Sequence, residues 1–180
     1  MKLFLRKVTY FALIILILTS IGLFLPTTPR VSESLLFGAI QKDSLLKNVE
    51  SPRIIFVGGS NLSFGINSQM IKDSLGLNPI NTAIHAAIGL KYMMENTLQY
   101  VREGDIVVLA PEYDHFYRKY DVVSEELMRM VFDVNFSNFK LLNFKQKLAL
   151  IPHIPKYSLS KFKPNEYMNV KVDEIYSVLV

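Results

Sequence analysis

The chain has 180 residues, half of them hydrophobic, with a formal net charge of +4, three histidines and no cysteine or tryptophan. Without cysteine there are no disulfides, thiolate metal sites, cysteine nucleophiles or lipid-modified cysteine anchors. Three of the positive charges, Lys2, Arg6 and Lys7, precede every acidic residue, so the rest of the chain carries only about +1, which is not the clustered basic face of a nucleic-acid binder.

Val8 to Leu25, "VTYFALIILILTSIGLFL", is uncharged. At about 1.5 Å per residue it covers about 27 Å as a helix, enough to cross a bilayer core. That run exceeds a signal-peptide core, and "LFLPTTPR" offers only a poor small-x-small cleavage site, so it reads as a single retained N-terminal anchor. Lys2, Arg6 and Lys7 before it predict a cytoplasmic N-terminus and everything after Leu25 on the extracytoplasmic side. Residues 1–25 are thus the cytoplasmic flank and transmembrane helix. Pro26 and Pro29 stop that helix, and 26–51 read as a juxtamembrane connector of short amphipathic helical pieces.

Residues 52–180 read as one α/β domain. Arg53–Val57 is a predicted strand, and Ser68 caps a short helix, "QMIKDSL", that Gly76 closes. Ile80–Ile84 is a second strand. Leu90–Arg102 places Leu90, Met94, Leu98 and Val101 at helical spacing, and Asp105–Ala110 gives a third strand so continuously apolar that both its faces are expected to be covered. This β-α-β-α-β order predicts a parallel sheet. Further on, Ser124 caps "EELMRMVFDV", and Leu141, Phe144 and Leu148 share one helical face before Pro152. Lys140, Lys145, Lys147, Lys161 and Lys163 interleave with aromatics there. They read first as a solvated basic face, with anionic lipid headgroups or an acidic glycan as the alternatives.

The stretch "PRIIFVGGSNLSFGIN" ends the first strand on Gly58, Gly59, Ser60 and Asn61. In an open parallel sheet ligands gather beyond the carboxyl ends of strands, which makes Ser60 a candidate nucleophile. The glycine pair is expected to let the backbone bend and its N–H groups converge on an anion. A Walker loop is excluded because Ile66 stands where lysine is required, and the dinucleotide and G-x-S-x-G fingerprints fail as well.

"IIFVGGSNLSFGI", "NPINTAIHAAIGL" and "EGDIVVLAPEYDHF" together resemble the first three blocks of the SGNH (GDSL-type) hydrolase superfamily, over roughly Arg53 to Phe116. The resemblance implies a three-layer, flavodoxin-like sheet of the SGNH type, in a membrane-anchored bacterial member linked to cell-surface polysaccharide. It implies Ser60 as nucleophile, with its own N–H in the oxyanion hole and a second N–H from Gly89, or from Ala86. Gly59, Asn61, His85, Glu112, Tyr113 and His115 are the pocket candidates, and Glu112 stands in the region where the family places an asparagine. The family's base comes from a late Asp-x-x-His pair, which does not occur after Phe116. His85, His115 and His153 each read first as structural polar residues.

The domain is short for a doubly wound sheet and the chain ends on "EIYSVLV", so it is expected to be the N-terminal portion of a longer protein whose continuation holds the base. The resulting expectation is an ester hydrolase or O-acyltransferase acting on an acylated glycan, inactive as this chain, with no cofactor and no metal. The competing expectation is a non-catalytic glycan-binding protein or a scaffold for polysaccharide-export partners.

Overall fold

The computed structural model describes residues 1–117 and 123–163, so the terminal "EIYSVLV" lies outside the described residues. Helix α1, Lys2–Phe24, is apolar along most of its length and long enough to cross a membrane. Only Thr19 and Gly22 of it are buried, and Leu25 turns to extended backbone ahead of Pro26. Short helix α2, Pro29–Ser32, a 3-10 turn at Leu35–Phe37 and α3, Gly38–Asn48, follow. Val31, Leu36, Ala39 and Leu46 are buried, so segment 26–51 packs into the same fold as the sheet.

The α/β part runs β1 (Arg53–Gly58), α4 (Ser60–Gly65), α5 (Ser68–Leu75), β2 (Asn78–Asn81), a 3-10 turn (Ala86–Ile88), α6 (Leu90–Leu98), β3 (Ile106–Ala110) and α7 (Tyr113–Tyr117). Next come α8 (Glu125–Arg129), a π-helical turn (Met130–Val134), a 3-10 helix (Phe136–Leu141), α9 (Phe144–Leu150), a 3-10 turn (Ile151–His153) and α10 (Ile154–Ser160). The three strands form one parallel sheet in the order β2-β1-β3. This mixed α/β arrangement, with one long apolar N-terminal helix, is the observed fold.

Every residue of β1 is buried, as befits a central parallel strand. Ile55 and Val57, two apart and therefore on one face, pack with Ile80, Leu46, Leu90 and Met93. A larger core joins Leu36 and Ile88 to Leu127, Met130, Leu150 and Tyr157, so the C-terminal third closes over α3 and α6.

Several expectations require correction. The second strand is Asn78–Asn81 rather than Ile80–Ile84, because the Asn81 side chain donates to the Leu62 carbonyl and accepts from the Ala83 N–H, replacing ladder bonds locally. The cap of α5 is Asn67, whose side chain accepts from the Met70 N–H, while Ser68 is the first helical residue and Gly76 closes the helix at φ 65°. Helix α6 stops at Leu98 instead of Arg102, since the Arg102 N–H is taken by the Asp105 carboxylate at 2.7 Å.

Strand β3 is not covered on both faces: Ile106, Val107 and Leu109 are 44–49% exposed, and among the described residues β3 lies at the edge of the sheet. Of Leu141, Phe144 and Leu148, the first packs against the larger core while Phe144 and Leu148 are exposed, and α9 buries Gln146 and Leu150 instead.

Candidate functional site

Parallel register builds the site. β1 and β3 pair with Gly58 opposite Ala110, so the second residue beyond each strand, Ser60 and Glu112, meets the other across the strand ends. The strand order places this pair at the switch point between β1 and β3, where open α/β sheets hold ligands. Ser60 is half-buried and its hydroxyl donates to Glu112 Oε1 at 3.2 Å. The same oxygen accepts the Asn61 N–H at 3.2 Å.

The two glycines serve close approach rather than a bend. Gly59 has extended backbone (φ −97°, ψ −156°), and neither glycine has positive φ. A Cβ on Gly58 would lie 2.5 Å from the Ala110 carbonyl, and one on Gly59 would collide with Glu112 Oε1 and lie 3.0 Å from the Ala86 nitrogen. The absence of a side chain at Gly59 is therefore what lets the carboxylate and the second block close on the Ser60 turn.

That contact also identifies Ala86, not Gly89, as the second-block position beside the turn. Gly89, at φ 89°, donates its N–H to the Ala86 carbonyl at 3.0 Å. His115 is buried, and Nδ1 accepts the Glu112 N–H at 3.0 Å. Its Nε2 is then the protonated nitrogen and donates to the Ala86 carbonyl at 3.1 Å. The ring thus clamps the turn that carries Glu112 to the second block, with both nitrogens engaged away from Ser60. His85 is exposed and its Nδ1 accepts the Ala87 N–H at 3.1 Å. Asn61 and Tyr113 are exposed, and half-buried His153 sits in the turn between α9 and α10.

Lys42 is a residue that sequence reading missed. Its ammonium donates to Ser63 Oγ at 3.2 Å and to the Ala83 carbonyl, which also accepts the Ser63 hydroxyl at 2.7 Å. Burial pulls Lys42 down to about 8. Together with Asn81 on the Leu62 carbonyl, this cluster lashes α4 to the loop after β2 and fixes the helix on which Ser60 sits. No local signal marks it, because Lys42 lies in a different segment of the chain.

Two cavities, of about 210 Å³ and about 490 Å³, lie elsewhere. The larger is lined by His85, Glu125 and Lys156 among others, and Ser60 lines neither. Among the described residues no group of three or more histidine, aspartate or glutamate side chains is placed to hold a metal ion. Chemically, the strand-end arrangement sets a hydroxyl against a carboxylate, with the Ala86 backbone nitrogen beside Gly59, the residue before that hydroxyl. Comparison of the chain with protein-family models, curated proteins and solved structures finds no match.

Proposed function

We propose that this chain is a membrane-anchored, SGNH-like ester hydrolase or O-acyltransferase that works on acylated cell-surface polysaccharide, with Ser60 as nucleophile. The observation that carries the reading is the Ser60 hydroxyl donating to Glu112 at the β1/β3 switch point. The resemblance of the three strand-and-turn blocks to that superfamily supports it, and with them a three-layer, flavodoxin-like sheet of which β2-β1-β3 is the described part. In this reading α1 crosses the membrane with its basic flank in the cytoplasm and Ser60 on the outer side.

Ser60 Oγ attacks the acyl carbonyl carbon while its proton passes to Glu112 Oε1. Collapse of the tetrahedral intermediate breaks the bond to the sugar oxygen and returns that proton to the departing alkoxide. Water, or a second sugar hydroxyl, then takes the acyl group by the reverse sequence. The Ser60 and Ala86 N–H groups are the oxyanion donors. A carboxylate is a weaker base than an imidazole, and Glu112 also holds the Asn61 N–H, so turnover by this 180-residue chain is low.

A second reading, a non-catalytic glycan-binding or polysaccharide-export scaffold protein, is favoured by one observation. The Asn61 N–H beside Ser60 and the Gly89 N–H of the second block are already bonded, to Glu112 and to the Ala86 carbonyl respectively.

The test is release of acetate from a chemically acetylated polysaccharide by the full chain in liposomes. Slow release that Ser60→Ala abolishes is expected. Binding of the polysaccharide without Ser60-dependent release would overturn the enzymatic reading in favour of the scaffold.

A further inference from the structure

The helical run formed by α9, the 3-10 turn and α10 carries a stripe of apolar side chains on its outside. Phe144, Leu148, Ile151, Leu159 and Phe162 are 46–74% exposed, and exposed Pro155 falls between them. Their spacing follows the helical period, so they line one face. The other face of the run is buried and holds Gln146, Leu150, Tyr157 and Lys161.

This run is fixed to the end of α1. A Cβ on Gly22 would lie 2.6 Å from Ser158 Cβ and from its carbonyl oxygen, so the two backbones touch there. Three residues on in both segments, Lys161 Nζ donates to the Leu25 carbonyl at 2.8 Å. Two contacts that advance equally on both partners mean that α10 runs alongside the last turns of α1, in the same direction. The Lys161 ammonium is also paired with Asp133 at 3.0 Å, both side chains all but inaccessible, and Tyr157 donates to the same oxygen at 2.6 Å. The cation at this junction is therefore neutralised and hydrogen-bonded, as a low-dielectric setting demands.

Depth follows from length. Val8 to Leu18, the uncharged part of α1 in which every residue is exposed, is only about 16 Å long at about 1.5 Å per residue, against a hydrocarbon core of about 30 Å. Only with Thr19 to Leu25 included does the helix approach that thickness, and those are the turns along which α10 lies. Ser158 must then share the depth of Gly22.

We infer that Leu159 and Phe162, at the C-terminal end of this run beside Gly22 and Leu25, are seated among the acyl chains of the leaflet in which α1 ends, so that this protein holds the membrane by the end of α10 as well as by its anchor. Exposed Lys163 falls beyond the level of Leu25, where headgroups lie, and Lys156, on the membrane side of Ser158, is paired with Glu125 at 2.6 Å. The inference rests on α1 being a span.

The chain has no tryptophan, so single introduced tryptophans report without background. Four full-length variants, Phe11→Trp on α1, Leu159→Trp and Phe162→Trp on the stripe, and Phe64→Trp on α4, are placed in liposomes whose lipids carry bromine on the acyl chains. Leu159→Trp and Phe162→Trp are expected to lose a share of emission comparable to Phe11→Trp, while Phe64→Trp keeps its own. Quenching of Phe11→Trp alone, as a second copy or a soluble partner covering the stripe would give, overturns the inference and leaves the span standing. An unquenched Phe11→Trp removes the span and the inference with it.

Discussion

At Gly59 the backbone passes so close to Glu112 and Ala86 that a single methyl group has nowhere to go. Gly59 adopts a conformation that any residue accepts, so alanine there would not strain the chain; it would displace the carboxylate from the Ser60 hydroxyl. Gly59→Ala is expected to lower Ser60-dependent acyl release about tenfold or more, since displacing a catalytic group by about 1 Å costs up to about a hundredfold. Its melting temperature should stay near that of the parent. Unchanged release from Gly59→Ala would show that Glu112 does not take the proton. His115 acts on the same carboxylate from behind: it receives the Glu112 N–H and grips the Ala86 carbonyl, and so is a positioning residue.

Between elements, Arg53 is the junction. Its fully buried guanidinium opens β1, pairs two-pronged with Asp105 at the head of β3, and donates to the Leu46 carbonyl at the end of α3 (2.6 Å) and the Tyr100 carbonyl after α6 (2.9 Å). The hydrogen bond from Arg53 holds the Asp105 carboxyl below the usual aspartate range, against the opposing effect of burial. A depressed folded-state pKa contributes stability above the unfolded value of about 3.9 and loses it as pH falls through the folded value. Asp105→Asn is therefore expected to cost about 3 kcal/mol near neutral pH, by leaving a buried cation without its counter-charge. The gap to the parent should begin to narrow below about pH 4, where Asp105 takes up its proton in the unfolded chain, and close as pH falls through the lower folded-state value. Urea unfolding in detergent checks this, and a gap that stays constant from neutral to acid pH would contradict it.

Periodicity and punctuation made the order of elements legible: an apolar run stopping at Gly58, a glycine closing α5, and Ser124 accepting from the Leu127 N–H as the cap of α8. The position of Ser60 beyond β1 was legible for the same reason. Its partner was not, because the meeting of Ser60 and Glu112 depends on the Gly58–Ala110 register, a long-range fact with no local signature. Composition also overstated coverage. The run Ile106–Ala110 is as apolar as a doubly covered strand and yet lies at an edge, and the period that unites Phe144 and Leu148 says that they share a face without saying that protein covers it.

At the scale of the molecule, α1, α10 and the sheet belong to one construction. Segment 26–51 contributes Leu36 and Ala39 to the larger core and Leu46 to the one beneath β1, so the segment that follows the apolar helix is built into the same cores as the sheet. In the proposed topology Lys2, Arg6 and Lys7 stay in the cytoplasm and Ser60, the proposed nucleophile, lies on the outer side. The most direct measurement treats intact spheroplasts expressing the full chain with a membrane-impermeant fluorophosphonate, then maps the adduct by peptide mass spectrometry. The expected result is a slowly formed phosphonyl adduct on Ser60 in intact cells, absent from Ser60→Ala. An adduct that forms only after lysis would contradict the topology, and no adduct on Ser60 in either preparation would contradict its role as nucleophile.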